Sequence, residues 1–208
     1  ADNGLEHGLL ALACLHVGIA YVPISSAYSL VSTDHAKLRH VIALLTPGLV
    51  YASDLKRFAK AIAAAVPAGT EVIGAGDLAA LEGSAPTGAV EAAHAAVGPD
   101  TIAKFLLTSG STGQPKAVIN TQRMLCSNQQ MLTHALPSLR AEPPVLVDWL
   151  PWNHTAGSNH NFGLVLNHGG TLYIDEGKPV PGLIEATVRN LREVAPTIYF
   201  IVPRGYEA

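Results

Sequence analysis

Residues 104–120 read KFLLTSGSTGQPKAVIN, which places a polar loop between two strand-like runs. Six of the nine residues in 108–116 are Thr, Ser or Gly. Glycines let a backbone turn tightly and bring its amide groups close to an anion, while hydroxyls and a lysine add donors and positive charge. The pattern predicts a loop that holds phosphate groups. The candidate binding residues are Thr108, Ser109, Gly110, Ser111, Thr112, Gly113 and Lys116.

The order of residues separates this loop from two other nucleotide-binding loops. The P-loop requires G-x-x-x-x-G-K-[ST], whereas Lys116 follows Pro115 and precedes Ala117. The dinucleotide fingerprint requires G-x-G-x-x-G, a spacing that this loop lacks. A plain surface turn is the alternative, since Ser/Thr/Gly clusters are usually loops. The flanking apolar runs and the Pro-Lys ending favour the functional interpretation.

Residues 107–118, LTSGSTGQPKAV, resemble the signature loop of the adenylate-forming superfamily, T-S-G-[ST]-T-G-x-P-K-G-V. That superfamily includes acyl-CoA synthetases, aryl-CoA ligases, luciferases and the adenylation domains of peptide synthetases. Ala117 stands where the superfamily usually has Gly, a change that adds one methyl group and removes no donor. The resemblance implies ATP, Mg²⁺ and coenzyme A as ligands. It also implies that the loop holds the β- and γ-phosphates and that Thr108 is a metal ligand.

Residues 150–157, LPWNHTAG, resemble the next motif of that superfamily, L-P-x-x-H-x-x-G. The resemblance implies that His154 is catalytic and lies near the substrate carboxylate and the α-phosphate. The alternative is a strand-end histidine bonded to backbone. Ala156 stands where an aromatic residue is common, so we expect a wider acyl pocket, or one floored by Trp152 or Phe162. The candidate substrate-binding residues are Trp152, Asn153, His154, Ala156 and Gly157.

Two stretches are most similar to the feruloyl-CoA synthetase branch: residues 148–155, DWLPWNHT, and residues 169–175, GGTLYID. Residues 4–24 are similar to the superfamily's early helix and its G-x-x-Y-V-P segment, so the resemblance covers essentially the whole chain. It implies a ligase that forms an acyl-adenylate from a carboxylic acid and transfers the acyl group to coenzyme A. The acid would be an aryl acid such as ferulate or another hydroxycinnamate, or a fatty acid.

Helix-like and strand-like segments alternate along the chain. This rhythm predicts an α/β fold with mostly parallel sheets and helices on both faces, in three αβα layers. Predicted helices cover residues 3–16, 34–45, 54–66, 122–135, 159–167 and 183–194, and residues 74–99 hold one or two short helices. Predicted strands cover residues 20–24, 49–52, 71–74, 104–107, 117–120, 145–150, 171–174 and 197–202. A break at 137–144 predicts two subdomains: 1–130, with the phosphate loop, and 131–208, with the acyl-pocket motif.

The composition limits the kinds of binding partner and the compartment that we expect for this protein. The net charge is -3 and the sequence shows no basic run, which argues against a nucleic-acid partner. Its apolar runs are too short to span a bilayer. The start lacks the basic residues of a signal peptide, and the two cysteines are far apart in sequence, so we expect a cytoplasmic protein with reduced thiols. The oligomeric state is left open.

Several superfamily parts are not found in the sequence. They are the Y-G-x-T-E segment, the ribose-binding Asp and the C-terminal lid with its catalytic Lys. The chain also enters an apolar periodic segment almost at once and stops just after a strand-like run. We therefore expect a fragment of the large N-terminal domain that is inactive alone.

Two other functions stay open. The first is an amino-acid adenylation domain, which usually places an Asp just after the aromatic residue of the second motif, whereas residues 152–162 contain no Asp or Glu. The second is a nucleotide-binding module without catalysis.

Overall fold

A computed structural model of the chain describes residues 2–109 and 113–207. The chain divides into two compact units, Ala1–Thr121 and Gln122–Ala208. The first contains α1 (Leu5–Val17), α2 (Ala27–Leu30), α3 (Ala36–Leu45), β1 (Leu49–Tyr51), α4 (Leu55–Ala65), β2 (Glu71–Ile73), α5 (Ala75–Glu82), α6 (Gly88–Ala95), β3 (Ile102–Ser109) and β4 (Pro115–Thr121). The second contains α7 (Gln122–Ala135), a 3₁₀ turn (Pro137–Arg140), β5 (Val145–Asp148), a π-helix (Ala156–Phe162), α8 (Gly163–His168), β6 (Thr171–Ile174), α9 (Ile184–Val194) and α10 (Pro203–Tyr206).

In the first unit, β1 and β2 are parallel neighbours joined by α4, with Val50 opposite Val72. Asp54 begins α4 as the sequence predicts, because its carboxylate accepts hydrogen bonds from two backbone N–H groups of the first turn, at 2.9 and 3.0 Å. Removal of apolar side chains from water stabilises this packing. The buried cluster contains Leu38 and Ile42 of α3 and Ala61 of α4.

In the second unit, β5 and β6 are also parallel, with Leu146 opposite Leu172. The π-helix and α8 connect them, as parallel strands require a crossover. The buried cluster contains Leu139, Leu146 and Leu164. These two crossover units confirm the predicted α/β fold with parallel sheets.

The pair of β3 and β4 differs, because it is an antiparallel hairpin with Leu106 opposite Val118. A short connection can join only antiparallel neighbours. The polar loop therefore fixes this pairing. Extended residue Tyr21 adds a single parallel bridge to Lys104 of β3.

Two predicted strands are wrong in extent or existence. Residues 20–24 form only the bridge at Tyr21, and Pro23 in this segment has no N–H to donate. Residues 197–202 form no strand in the described part of the chain. The N–H groups of Thr197 and Ile198 both donate to the carbonyl oxygen of Val145, at 2.9 and 3.4 Å, so the pairing does not advance along β5.

Several element boundaries also differ from the predicted ones, and two of these shifts occur beside the His154 turn. Strand β5 ends at Asp148 rather than at residue 150, because the Asp148 carboxylate accepts the N–H of Leu150 at 3.1 Å and removes it from the ladder. The helical segment predicted at 159–167 begins earlier, at Ala156, as the π-helix. Among the helices of the described ranges, none combines the length and the apolar character needed to span a membrane.

Candidate active site

The Thr/Ser/Gly-rich loop joins β3 to β4. Thr108 lies directly opposite Lys116 in the hairpin register, and Ser109 lies opposite Pro115. Directly opposed residues of antiparallel strands project to the same face, so the Thr108 hydroxyl and the Lys116 ammonium share one face. Both residues are exposed. The start and the end of the loop therefore present a hydroxyl and a cation together to solvent.

The second half of the loop is held by its backbone. Gly113 has a φ of 80°, in the left-handed region that favours glycine. A Cβ at Gly113 would meet no described atom within 4 Å, so the backbone conformation and not the available space calls for glycine. Pro115 is buried, and its carbonyl oxygen accepts a 3.0 Å hydrogen bond from Nε2 of His40 on α3. Sequence reasoning missed His40, which anchors the strand that carries Lys116.

Part of the predicted loop lies outside the described residues. This applies to Gly110, Ser111 and Thr112, and to the side chain of Ser109. Their assignment to phosphate binding stays a prediction. Ala117 lies opposite Leu107 and is half-buried, so its methyl group is accommodated within the strand pair.

Strand β3 also carries a buried cation. Lys104 is 2% exposed, and burial lowers the pKa of its ammonium to about 8. Its Nζ lies 5.7 Å from the centre of the Tyr21 ring, within the range of a cation–π interaction. Because residues i and i+4 of a strand lie on one face, Lys104 and Thr108 are on the same face of β3.

In the second unit, His154 lies in the turn that follows β5 and is exposed. Its backbone N–H donates to the carbonyl oxygen of Pro151 at 3.0 Å. Its Nδ1 accepts a hydrogen bond of 3.3 Å from the N–H of Ala156, so Nε2 carries the ring hydrogen when the ring is neutral. The backbone bond matches the structural alternative raised from the sequence, and the exposure leaves the ring open to a ligand.

Trp152 and Phe162 are packed together, with ring centres 4.9 Å apart and planes inclined at 54°. Trp152 is 5% exposed, whereas Asn153 and Ala156 are half-buried. The π-helix begins at Ala156 and ends at Phe162. The two aromatic residues that the sequence suggests as alternatives for the floor of the acyl pocket are thus in contact with each other. Their role in the pocket stays a prediction.

Gly157 has a steric reason to be glycine. A Cβ at this position would lie 2.5 Å from the carbonyl oxygens of both Leu150 and Pro151. Real Cβ atoms do not approach backbone oxygens this closely. The first turn of the π-helix therefore rests directly on the backbone of the preceding turn. The superfamily motif L-P-x-x-H-x-x-G places glycine at this point of contact.

A buried glutamine supports the π-helix from α7. Such helices shift the hydrogen-bond pattern by one residue and are frequent at functional sites. Gln129 is buried, and its Nε2 donates to the carbonyl oxygen of Asn159 at 2.7 Å. A Cβ at Gly163 would lie 2.6 Å from the same Nε2 atom. Gly163 thus leaves the space that Gln129 occupies.

A buried carboxylate at the end of β5 was also missed from the sequence. Asp148 is 1% exposed, and its Oδ1 accepts hydrogen bonds from the N–H of Leu150 at 3.1 Å and from Nδ2 of Asn161 at 2.8 Å. Burial, together with a smaller contribution from the charge of Asp175, raises the pKa of Asp148 to about 6. The hydrogen bonds from Asn161 and Leu150 act in the opposite direction. The available signal was one acidic residue inside the apolar run VLVDWL.

Fold and site together define an α/β protein whose antiparallel hairpin presents a Thr/Ser/Gly-rich loop, followed in sequence by a histidine turn that rests on a π-helix. The chain belongs to the AMP-binding enzyme family, whose sequence model matches residues 1–208. The resemblance to the adenylate-forming superfamily is thereby confirmed at the level of the family.

Three relatives illustrate the similarity. Long-chain-fatty-acid–CoA ligase ACSBG2 of Gallus gallus is 31% identical over 111 residues, which cover 52% of this chain and 14% of that protein. The crystal structure of ATP-bound MatB from Rhodopseudomonas palustris matches with a TM-score of 0.71 and 25% identity, over 100% of this chain and 39% of that one. The o-succinylbenzoate CoA synthetase MenE of Bacillus subtilis, in complex with its acyl-adenylate OSB-AMP, matches with a TM-score of 0.74 and 18% identity, over 99% and 48%. This chain thus spans less than half the length of each.

Proposed function

We propose that this chain forms the phosphate-binding and acyl-binding part of an ATP-dependent acid–CoA ligase. The observation that carries the proposal is the pairing of Thr108 with Lys116 on one exposed face of the hairpin. A triphosphate needs donors and positive charge in one small space, and this face supplies a hydroxyl and an ammonium beside a glycine-rich loop. The ATP of the bound MatB structure and the acyl-adenylate of the MenE structure belong to those proteins, and they support the proposal by similarity.

The proposed reaction has two steps. A carboxylate oxygen of the acid attacks the α-phosphorus of ATP, and the bond to pyrophosphate breaks to leave the acyl-adenylate. The thiolate sulfur of coenzyme A then attacks the acyl carbon, and AMP departs with the bonding electrons. Lys116 and the loop hydroxyls would hold the β- and γ-phosphates in line for the first step and stabilise the leaving pyrophosphate.

The residues of the proposed site fit a magnesium ion that the protein and the substrate phosphates would hold together. Mg²⁺ is usually held by one or two protein oxygens together with substrate phosphates and water. The exposed Thr108 hydroxyl at the start of the loop can supply one such oxygen. When bound, the ion neutralises part of the charge that develops on the phosphates.

His154 and the neighbouring aromatic pair of the second unit would bind the acid substrate. The exposed imidazole would hold the substrate carboxylate, and Trp152 with Phe162 would line the acyl group. A flat or extended apolar acid suits such a wall. We therefore propose an aryl acid of the hydroxycinnamate class, as in the feruloyl-CoA synthetase branch, or a fatty acid.

The loop is tested by titration of magnesium pyrophosphate into the 208-residue protein, followed by calorimetry. We expect saturable binding that Lys116→Ala weakens by about tenfold, which corresponds to about 1.4 kcal/mol. Lys56→Ala removes another exposed lysine, from α4, and is the matched control. Absence of binding by the wild-type chain, or equal affinity of the Lys116→Ala variant, would refute the phosphate-binding role.

The acid is tested with the proposed ligase, of which this chain would form a part. Pyrophosphate exchange into ATP is measured with ferulate, decanoate and phenylalanine as separate substrates. Exchange with ferulate or decanoate supports an acid–CoA ligase, and exchange with phenylalanine alone favours the amino-acid adenylation domain. Failure of exchange with every acid, despite pyrophosphate binding, favours the non-catalytic module.

A further inference from the structure

The segment from Asp148 to Asn161 closes on itself through one carboxylate oxygen. Asp148 Oδ1 accepts from the N–H of Leu150 at 3.1 Å and from Asn161 Nδ2 at 2.8 Å. Asp148 and Asn161 are each only 1% exposed. They are thirteen positions apart in sequence, and the turn with His154 lies between them. The two side chains thus form a buried clamp at the base of an exposed turn.

The turn inside this clamp is internally braced. The N–H of His154 donates to the Pro151 carbonyl at 3.0 Å, and the His154 carbonyl accepts from the N–H of Ser158 at 3.0 Å. Gly157 rests against the carbonyl oxygens that precede the turn. The backbone of His154 therefore cannot shift unless the contact between the turn and the π-helix changes as well.

Asn161 ties the clamp to a third segment. Its Nδ2 also lies 3.2 Å from the carbonyl oxygen of Phe200, and its Oδ1 lies 2.8 Å from Nδ1 of His160. The rings of His160 and Phe200 are stacked, with centres 3.9 Å apart. The amide is therefore fixed on both sides, which orients its donor toward Asp148.

We propose that Asp148 is a positioning residue for His154 and that Asn161 is the partner through which it acts. The proposal rests on the proposed function for the role of His154 in acid binding. The clamp itself is a property of the fold. It fixes where the turn leaves β5 and where the π-helix starts, and so it fixes the backbone from which the imidazole projects.

A carboxylate performs this task at a cost to stability. A buried charge loses its hydration, so an uncharged residue of the same size would destabilise the folded protein less. In return, hydrogen bonds to a charged oxygen are shorter and stronger than those to a neutral one. Asp148 uses that strength at a single oxygen that holds the turn and the helix together.

The clamp is also sensitive to pH. Burial raises the pKa of Asp148 to about 6, so protonation in mildly acidic solution weakens the oxygen as an acceptor. Three other titratable groups bear on it. Asp175 follows the adjacent strand β6, with its N–H 3.0 Å from the Asp148 carbonyl, His160 bonds to Asn161, and Tyr199 has its pKa raised mainly by burial and slightly by the Asp148 charge.

The clamp is tested by nuclear magnetic resonance on the ¹⁵N-labelled protein, with the backbone amides of Leu150 and His154 followed from pH 4.5 to 8. In the wild-type protein we expect the Leu150 amide to shift with a midpoint near the Asp148 pKa of about 6. Asp148→Asn abolishes that transition. Asn161→Ala speeds hydrogen exchange at His154 by about tenfold, as expected for the loss of one charged hydrogen bond.

Asp175→Asn is the matched control, since it neutralises the other buried carboxylate, whose bonds go to Gly177, Thr187 and Asn190. Exchange at His154 should stay at the wild-type rate in that variant. The proposal is overturned if Asn161→Ala leaves exchange at His154 unchanged, if Asp175→Asn speeds it equally, or if the wild-type Leu150 amide shows no transition near pH 6. The wild-type titration needs no variant and stands even if a substitution prevents folding.

None of these readouts needs turnover. In the proposed ligase, Asn161→Ala should lower kcat/KM for the acid and leave the KM for ATP unchanged. Absence of turnover with every acid would refute the proposed function. The hydrogen-exchange rates alone would then decide whether the clamp holds the turn. Normal turnover together with disturbed exchange would refute the link between the clamp and acid binding.

Discussion

His40 Nε2 lies 3.0 Å from the carbonyl oxygen of Pro115, although the two residues are 75 positions apart in sequence. A carbonyl oxygen only accepts, so Nε2 is the protonated ring nitrogen in this bond. The bond connects α3 to the first residue of β4. Lys116 follows directly, which makes His40 an anchor of the strand that carries the loop cation.

Replacement of this anchor should weaken phosphate binding. We expect His40→Ala to reduce the affinity for magnesium pyrophosphate by about three- to tenfold, because the loss of one hydrogen bond, about 1 kcal/mol, frees the backbone beside Lys116. Calorimetric titration measures the effect. Leu44→Ala, at an exposed position of the same helix, is the control and should bind as the wild type does. Equal affinities in all three proteins would contradict the role assigned to His40.

The buried carboxylate Asp148 should make stability depend on pH. Its folded-state pKa of about 6 lies above the ordinary carboxyl value of 3.8, so the folded protein holds the proton more tightly than the unfolded chain does. The resulting stabilisation is complete below about pH 3.8 and is lost as the pH rises through about 6. The difference amounts to about 3 kcal/mol at most.

This linkage is measured as the difference between two proteins. Urea unfolding of the wild type and of Asp148→Asn is compared at several pH values from 4 to 8, which cancels the titration of other groups. Relative to the variant, the wild type should lose free energy of unfolding as the pH rises. A constant difference across that range would show that Asp148 does not titrate there.

Local patterns in the sequence were enough for much of the fold. Helix α7 and strand β6 occupy the predicted residues, since helical periodicity marks one and a glycine pair before an apolar run marks the other. The antiparallel hairpin follows from the shortness of its loop. The π-helix was not predicted, and one contact that supports it is non-local: Gln129 of α7 bonds to the Asn159 carbonyl 30 positions away.

Only those residues of the candidate site that lie within short sequence motifs could be predicted. The order of residues located Thr108, Lys116 and His154, whose roles stay predictions. The groups that hold these residues in place, His40 and Asn161, act over long sequence separations or through buried side chains. The failed strand at 197–202 has the same origin: its apolar residues suit a strand, but pairing depends on which carbonyl each N–H reaches.

Gly157 should not tolerate a methyl group. A Cβ would lie 2.5 Å from two backbone carbonyl oxygens, neither of which can rotate away, so we expect Gly157→Ala to lower the free energy of unfolding by about 2 kcal/mol or more. Gly76→Ala in α5 is the matched control, because a Cβ there meets no described atom within 4 Å. Alanine favours helix, so that variant should gain about 0.5–1 kcal/mol. Denaturant unfolding of both variants decides the point, and equal stabilities would show that the turn and the π-helix are not in close contact.

The buried Lys104 should make stability depend on pH in the direction opposite to that expected for Asp148. Its pKa is lowered by burial from 10.5 to about 8, so the folded protein binds this proton more weakly than the unfolded chain does. The favourable contribution is complete above about pH 10.5 and is lost as the pH falls through about 8, a change of about 3 kcal/mol. Lys104→Met keeps an unbranched side chain one heavy atom shorter and removes the charge. We expect its stability advantage over the wild type to be largest near pH 7 and to shrink steadily toward pH 10. Urea unfolding at both pH values measures this difference in stability. A difference that does not change with pH would mean that the pKa of Lys104 is the same in the folded and the unfolded protein.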